Sequence, residues 1–395
     1  MHYSVANNRT GQVIRTIIRS SGSPPALPAG SVTRRHWLRV RKVALRYLRR
    51  TLDADVAPSV VVGLDAGFTS TLPLEALRPY IRSHAGVDIG FDVGTETFSS
   101  MLIMQLLGSG HESKGSWSGQ LIRKLAPLIR ARSWNGRYRF FFDDNGFASD
   151  TDCTGVAASA LYETGHLTRD ELLQSGAQLL AAAAPFDVPA DKNLDGESQK
   201  PNGALHRGVV MVYWEDGVEP GVKLRGRKHD AATCANALYA LELAGREGLV
   251  DLHGVIAATR QYVFEHLQSG AYHEGTRYYP SPDVFLYFVS RLCARFGEYR
   301  EIFGPSLRAA LAERNATSPN PGSPDDSMMS LNLAMRVLCA ENLGDMDASD
   351  QKAWLASQQE LDGSWKACPF YSLGRLPVFF GSSTLTTLFA LRAVG

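Results

Sequence analysis

At residues 150–161 the chain reads Asp150-Thr151-Asp152-Cys153-Thr154-Gly155-Val156-Ala157-Ala158-Ser159-Ala160-Leu161. The second half of this run is small or apolar almost all round, as expected of a helix that is buried on several sides. An Asp in front of such a helix is a good N-cap, because its side-chain oxygen accepts the free amide hydrogens of the first turn. A cap needs one carboxylate, whereas here two carboxylates and a thiol stand together. The run therefore predicts a buried helix and a proton-handling site at its mouth.

The same small or apolar character recurs along the chain, each time after an amphipathic helical stretch. The predicted buried helices lie near residues 97–108, 151–164, 230–244, 283–296, 326–341 and 382–393. The predicted amphipathic helices lie near residues 34–51, 72–84, 117–132, 168–184, 254–269, 301–315 and 350–359. Cap-forming residues precede every buried helix, at Thr95-Glu96-Thr97, Asp150, Asp230, Asp283, Asp325-Asp326 and Ser382-Ser383. A repeated two-helix unit with its caps at one end predicts an all-α fold, an α6/α6 barrel whose buried helices form the inner ring. Segment 208–224 predicts a short β-hairpin in a rim loop.

Composition and charge bound the class of protein. The chain has 395 residues, a formal net charge of +1 and 44% hydrophobic residues. It can form a large core, and it carries no overall charge that would steer it to nucleic acid. Its five cysteines show no C-x-x-C spacing, which argues against a disulfide scaffold or a zinc knuckle. No stretch of about 18 apolar residues occurs, and a cytoplasmic location is expected. Residues 1–32 predict a flexible leader and residues 33–395 a single α/α-barrel domain.

The paired carboxylates Asp150 and Asp152 allow two interpretations. In one they only cap the helix, as Asp230, Asp283 and Asp325-Asp326 are expected to do. In the other Asp152 is a general acid, because a carboxyl group in an apolar cavity keeps its proton to higher pH when burial penalises the charged form. The second interpretation explains why another carboxyl and a thiol accompany the cap, and it is the favoured one.

The string Asp150-Thr151-Asp152-Cys153-Thr154 resembles the protonation motif of class II terpene cyclases. It looks like a hybrid of the Asp-x-Asp-Asp motif of the squalene–hopene and copalyl diphosphate group and the Asp-Cys-Thr-Ala run of oxidosqualene cyclases. The resemblance implies that Asp152 donates the proton and that Asp150 and Cys153 tune it. It also implies a supporting role for Cys234, near the start of the next buried helix, although a small helix residue is the simpler interpretation there. Both thiols are expected to hydrogen-bond the Asp152 carboxyl. The chain lacks the fourth-position Asp, and it has Gly155 where Ala is usual.

A second resemblance lies near the end of the chain. The run from Lys352-Ala353-Trp354-Leu355 to Gln358-Gln359-Glu360-Leu361-Asp362-Gly363-Ser364-Trp365 resembles the QW repeat of the same superfamily. In that repeat Gln and Trp tie the end of an outer helix to the following turn, so Gln358, Gly363 and Trp365 are expected to be structural. The resemblance covers residues 70–395. Six inner helices make one barrel, which favours a linear C15 or C20 prenyl diphosphate, or a meroterpenoid, over squalene.

Two further sets of residues bear on the substrate. A basic cluster, Lys223, Arg225, Arg227 and Lys228, directly precedes the helix that begins at Asp230, where the helix amides also favour an anion. A substrate diphosphate is expected there, with a solvated turn as the alternative. Aromatic faces stabilise positive charge, and the expected cavity aromatics are Trp214, Tyr279, Phe285 and Phe380. This chemistry requires no cofactor, Mg²⁺ is compatible with a diphosphate substrate, and no metal site is predicted.

The expected partner is a small-molecule isoprenoid, and the oligomeric state stays open. The basic helix at 34–51 allows contact with a membrane surface, but a solvated outer helix is the favoured interpretation. Two other functions remain as alternatives: a non-catalytic α/α-barrel binding module whose acids are only caps, and a carbohydrate-active α6/α6 enzyme. The latter needs carboxylates on both sides of a cleft, which Asp150 and Asp152 do not readily provide.

Overall fold

The computed structural model describes residues 34–54, 58–108, 116–186, 206–316 and 329–395. The leader predicted for residues 1–32 and the caps predicted at Asp325-Asp326 lie outside these ranges. No helix within the described ranges has both the length and the hydropathy needed to cross a membrane.

Most of the described chain is helical. The α-helices are α1 (Arg34–Ala54), α2 (Leu74–Ala85), α3 (Phe98–Gly108), α4 (Trp117–Arg130), α5 (Thr151–Glu163), α6 (Arg169–Ala181), α7 (Ala231–Arg246), α8 (His253–Gln268), α9 (Pro282–Arg295), α10 (Gly297–Ala316), α11 (Ser330–Leu343), α12 (Ser349–Ser357) and α13 (Ser383–Val394). The strands are β1 (Val61–Gly63), β2 (Thr71–Leu72), β3 (Ser133–Trp134), β4 (Arg137–Tyr138), β5 (Pro369–Ser372) and β6 (Phe379–Gly381). A 3₁₀-helix covers Ala271–Glu274. The helices predicted from the sequence are present, with ends that differ by a few residues.

Helices α3, α5, α7, α9, α11 and α13 form the inner ring of the described barrel. Each packs against the next, and α13 packs against α3, which closes the ring. Helices α1, α4, α6, α8, α10 and α12 lie outside, each against one or two inner helices. Burial follows this division: every residue from Thr151 to Leu161 in α5 is buried, whereas α1 buries a stripe and exposes its basic face. The predicted α6/α6 barrel is confirmed.

Side chains cap several inner helices, as the sequence predicts. The Asp150 carboxylate accepts a hydrogen bond from the amide of Cys153. Asp230 accepts from the amides of Ala232 and Thr233, at 2.9 and 3.0 Å. These contacts satisfy amides that would otherwise lack a partner at the helix start.

Asp283 is not the cap of α9, so that prediction was wrong. Ser281 caps the helix, and Pro282 takes the first helical position, where its missing N–H costs nothing. The fully buried Asp283 carboxylate instead pairs with the guanidinium of Arg314, at 3.2 and 3.1 Å, and lies 3.7 Å from Nε of Arg336. Asp283 therefore joins α9 to α10 and α11 inside the barrel wall.

The hairpin predicted for 208–224 does not form. Residues Val209–Trp214 are buried and extended, but their bridges are to other segments: Val210 to Ala183 and Tyr213 to Asp150. The apolar run is extended as predicted, but the mostly exposed residues 215–224 after it do not pair with it. Hairpins lie elsewhere in the described chain: β3 pairs with β4, and β5 pairs with β6 within a four-stranded antiparallel sheet of order β2-β1-β6-β5.

The predicted tie near the end of the chain is present, with one residue corrected. Nε1 of the buried Trp365 donates to the carbonyl of Leu355 in α12, at 2.7 Å. The glutamine that completes the tie is Gln359, whose Nε2 donates to Gly363 O at 3.1 Å and to Val40 O in α1 at 3.0 Å. Gln358 is wrong for this role, because within the described part of the chain its side-chain amide hydrogen-bonds only to the exposed Ser357 hydroxyl.

Candidate active site

A cavity of about 440 Å³ opens where the inner helices begin. Its walls come from residues at or just before the starts of five of them: Phe98 (α3), Asp152 (α5), Thr233 (α7), Tyr279 (before α9) and Phe380 (before α13). The volume lies in the range of about 300–1,000 Å³ usual for small-molecule sites. The ring therefore brings together residues that are far apart in the sequence.

Asp152 lines this cavity and is only 8% exposed. Its two carboxylate oxygens have different partners. Oδ1 accepts from the side-chain amide of Asn236, at 2.8 Å. Oδ2 contacts two hydroxyls, that of Thr233 at 3.4 Å and that of Tyr279 in a short hydrogen bond. An amide nitrogen only donates, whereas a hydroxyl can donate or accept. The proton of a neutral Asp152 therefore belongs on Oδ2.

The Asn236 amide is itself held in place. Its Oδ1 accepts from Nη1 of Arg291, at 3.3 Å, so its nitrogen is the atom that faces Asp152. The Arg291 guanidinium lies over the ring of Tyr239, 4.4 Å from the centroid. The orientation of the group that supports the acid thus depends on α9 as well as on α7.

Burial raises the pKa of Asp152 to about 6, and the hydrogen bonds from Tyr279 and Asn236 work against that rise. Desolvation favours the neutral acid, while donors aimed at the carboxylate stabilise the anion left after proton transfer. Such a group holds a proton near neutral pH and can release it.

Asp150 also lines the cavity and combines the cap with a raised pKa. Its Oδ1 accepts from the amide of Cys153 at 2.7 Å. Burial and the negative charge of Asp152 raise the pKa of Asp150 to about 7. Two buried carboxyls this close do not readily ionise together, so at neutral pH the pair holds at least part of one proton.

The two thiols do not contact Asp152 as predicted. The Cys153 thiol interacts with Asp150, and burial raises its pKa. The Cys234 thiol donates to the carbonyl of Val210, at 3.4 Å. Cys234 lies one residue after Thr233, which turns it about 100° round α7 and away from α5. The residues that take its expected place are Thr233 and Asn236, which share a face of α7 because they are three apart.

Aromatic side chains form much of the cavity wall. Two of the four predicted aromatics, Tyr279 and Phe380, line it. Trp214 and Phe285 do not: Trp214 donates to Gln178 O at 2.8 Å, and Phe285 packs on His266. The other lining aromatics are Phe98, Phe140, Phe141, Phe147, Tyr213, Tyr278 and Tyr371. The sequence shows which aromatic residues lie in the links between outer and inner helices. Which of their rings face the cavity depends on how those links fold over the mouth of the barrel.

Four basic residues line the cavity, two of which the sequence singled out. Arg225 and Lys228 belong to the predicted basic cluster, while Lys223 and Arg227 lie outside the lining. The other two are Arg277 and Arg375, which come from the later links. Nε of Arg277 is buried and has no hydrogen-bond partner within the described ranges. The predicted cluster thus contributes half of the cationic mouth.

Among the described residues, no group of three or more His, Cys, Asp or Glu side chains is placed to hold a metal ion.

Comparison with known proteins gives one sequence relative and a clear structural likeness. The chain is 32% identical to drimenol cyclase drtB from Aspergillus calidoustus over 189 residues, which are 47% of this chain and 31% of that protein. The chain therefore spans less than a third of that relative's length. No protein-family model matches it.

The structural likeness covers nearly the whole chain. Type II terpene cyclase MstE from Scytonema, in its apo form, superposes with a TM-score of 0.57 at 12% identity, over 91% of this chain and 98% of that one. A variant of MstE in complex with geranylgeranyl dihydroxybenzoate, its substrate, gives 0.55 at 12% identity, over 91% and 96%. At such identities the likeness establishes the fold. The resemblance to terpene cyclases is thus confirmed, in the matched part of the sequence and in the fold of the chain.

Proposed function

We propose that this protein is a class II terpene cyclase in which Asp152 protonates the terminal alkene, or an epoxide, of a linear isoprenoid. One observation carries the proposal. A carboxyl with a raised pKa lies in an aromatic-walled cavity, and its oxygens are held by neutral donors rather than by a cation. A salt bridge would fix the carboxylate as an anion, whereas this setting keeps it a usable acid.

The proton step follows from these contacts. The proton leaves Oδ2 of Asp152 for one alkene carbon, the π electron pair forms the new C–H bond, and the other carbon becomes cationic. Asn236 continues to donate to Oδ1, and the hydroxyls of Tyr279 and Thr233 turn to donate to the new carboxylate. The heavy atoms of these groups stand in place before the reaction, so the anion is stabilised with no movement beyond the rotation of two hydroxyl hydrogens. Successive ring closures then move the positive charge along the chain.

The cavity wall suits a carbocation. Ring faces attract positive charge through their quadrupole and offer no nucleophile. Phe98, Phe140 and Tyr371 contribute to this wall, and rings there also exclude water that would end the reaction early. Their number supports an isoprenoid rather than a sugar, which would need more hydrogen-bonding side chains.

The head group is proposed to be a diphosphate held at the mouth by Arg225, Lys228, Arg277 and Arg375. Arginine and lysine are the usual ligands of phosphate oxygens. The similarity to a drimenol cyclase makes the C15 substrate, farnesyl diphosphate, the first to test. The proton step uses the chain's own residues and needs no cofactor. Mg²⁺ is proposed only as a companion of the diphosphate, whose oxygens are ligands that it prefers.

The direct test is incubation with farnesyl diphosphate, geranylgeranyl diphosphate and geranylgeranyl dihydroxybenzoate, with phosphatase treatment of the diphosphate reactions and mass spectrometry. Cyclised product is expected from a diphosphate, with one deuterium gained when the reaction runs in deuterium oxide. Asp152→Asn should lower the rate by at least about 100-fold, as expected for loss of a general acid. Asp143→Asn, which changes an exposed rim carboxylate, is the matched control. A folded Asp152→Asn protein that turns over normally would show that Asp152 is not the acid, and a parent protein that binds these substrates but converts none would instead indicate a binding module.

A further inference from the structure

A third carboxyl, Glu96, borders the cavity and takes no part in the proton step. It lies just before α3 and is 3% exposed, and its backbone pairs with Phe141 across the rim. Oε2 accepts from the amide of Ser99 at 2.7 Å. Oε1 is buried and has no hydrogen-bond partner within the described part of the chain. Leaving a buried polar atom unpaired costs about 1–3 kcal/mol, so this oxygen calls for an explanation.

Glu96 and Asp152 face the cavity from different sides of α5. The partners of Asp152 belong to α7 and to the link before α9, whereas Glu96 lies just before the neighbouring inner helix α3. Tyr371 on β5 also lines the cavity, and its hydroxyl also lacks a partner in the described ranges. The charge of Glu96 adds to burial in raising the pKa of Tyr371, so the two groups lie within electrostatic reach. Both side chains lie on the cavity wall together with aromatic residues such as Phe98, Phe140 and Phe141.

We propose that Glu96 is the base that ends the cyclisation. A C–H bond next to the last cationic carbon breaks, its electron pair forms the C=C bond that neutralises the cation, and the proton goes to Oε1 of Glu96. The inference rests on the proposed function, since it concerns the final cation of that reaction. An ionised Glu96 would also attract the positive charge towards this part of the wall before the proton moves.

The other cavity carboxyls are poorer bases for this step. Asp152 is committed as the acid. Asp150 is bound by both the amide and the thiol of Cys153, whereas Oε1 of Glu96 has no partner within the described ranges. Asp88 is bound by Arg78 and Arg82, which hold its pKa well below the usual range. Burial, by contrast, raises the pKa of Glu96 to about 7. A carboxylate with that pKa is about half ionised at neutral pH and accepts a proton more readily than an ordinary one.

The test is product analysis of Glu96→Gln with whichever substrate the parent protein converts. Gln keeps the size of the side chain and an oxygen for the Ser99 amide, but it cannot accept the proton. Substrate consumption and the gain of one deuterium should persist, because Asp152 is intact. The share of the parent product should fall by at least roughly 10-fold, in favour of alkenes with a moved double bond or of alcohols formed by water capture.

Glu215→Gln is the matched control, because Glu215 also has a buried, unpartnered oxygen in the described ranges but does not line the cavity. It should give the parent product. An unchanged product ratio and rate in Glu96→Gln would overturn the proposal. So would a folded Glu96→Gln protein that no longer consumes substrate, since Glu96 would then act before the final step. Failure of the proposed function itself is separable, because the parent protein would then cyclise none of the substrates.

Discussion

The two oxygens of Asp152 meet chemically different neighbours, and this difference decides what a substitution there does. Asn236 can only donate to Oδ1, whereas the hydroxyls at Oδ2 can donate or accept. An Asn at position 152 therefore fits with its carbonyl towards Asn236 and its NH₂ towards Tyr279 and Thr233. The substitution removes the acid and keeps the hydrogen bonds.

This fit leads to a prediction about stability. The pKa of Asp152 is about 6 in the folded protein against 3.8 for an ordinary Asp. The folded state thus binds the proton more tightly, and the stability that this contributes is present below pH 3.8 and lost as the pH rises to about 6. Asp152→Asn has no such loss, so its free energy of unfolding at pH 8 should exceed that of the parent protein by on the order of 3 kcal/mol. Urea unfolding at pH 8 and pH 4 measures this, and the gain should shrink at pH 4. A variant that is less stable than its parent at pH 8 would contradict the assigned burial cost.

At the residue scale, the sequence singled out the buried carboxyls Asp150 and Asp152 but not the side chains that hold Asp152 in place. Asp150 and Asp152 stand out locally, as carboxylates beside the start of an apolar helix. Asn236 and Tyr279 lie 84 and 127 positions from Asp152, and only closure of the ring brings them together. A signal for Asn236 existed: an amide in the second turn of a helix that is otherwise small and apolar needs a buried partner. The family resemblance points to Cys234 instead, but this residue lies on a different face of α7, where its thiol donates to the carbonyl of Val210.

At the scale of elements, the contact between α5 and α7 depends on Gly155. A Cβ at this position would lie 2.6 Å from the carbonyl oxygen of Asn236, closer than atoms of this kind can approach. The two inner helices therefore pack backbone to backbone at this point. That approach sets the 2.8 Å hydrogen bond between Asn236 and Asp152. What looks in the sequence like a minor departure from the family motif is a packing requirement of this chain.

Gly155→Ala should therefore both destabilise the protein and slow the reaction. Gly to Ala within a helix ordinarily stabilises by up to about 1 kcal/mol, but here overpacking should cost about 1–3 kcal/mol. Displacement of α7 should also lengthen the contact with Asp152 and lower turnover. Urea unfolding and kcat measure the two effects. Gly297→Ala is the control: Gly297 begins α10, and a Cβ there meets no atom within 4 Å. If both variants have the stability of their parent, the space between α5 and α7 tolerates a methyl group at position 155.

The helices were predictable because their signals are local. Small or apolar residues at nearly every position mark the inner helices, and a polar stripe marks the outer ones. Non-local contacts account for the errors. Val210 and Tyr213 are extended because they bridge Ala183 and Asp150, so an apolar run that reads as half a hairpin has its partners elsewhere. The prediction for the cap of α9 was wrong for a different reason. Asp283 pairs with Arg314 and Arg336 inside the barrel wall, and Ser281 caps the helix.

At the scale of the whole molecule, charge gathers at the mouth of the barrel. Arg225 and Lys228 come from the link before α7, Arg277 from the link before α9, and Arg375 from the link between β5 and β6. In the sequence, Arg277 and Arg375 do not belong to a cluster of basic residues. Lys223 and Arg227 do contribute to a local density, yet they lie outside the cavity lining. A cluster along the chain and a cluster in space are thus different sets here, and that difference can be tested.

Two double variants remove the same amount of charge from the two sets. Arg277→Gln/Arg375→Gln should raise KM for farnesyl diphosphate by about 10-fold or more and change kcat less, because the head group is bound alike before and during ring closure. Lys223→Gln/Arg227→Gln should raise it far less. KM for the uncharged alcohol farnesol should not change in either variant. Added salt should raise KM of the parent protein, because exposed charges are screened over about 8–10 Å at physiological ionic strength.

Equal effects of the two double variants would mean that net charge, rather than a built site, attracts the substrate. If neither variant affects KM for the diphosphate, the head group does not bind at this mouth, and an isoprenoid without a diphosphate becomes the better substrate.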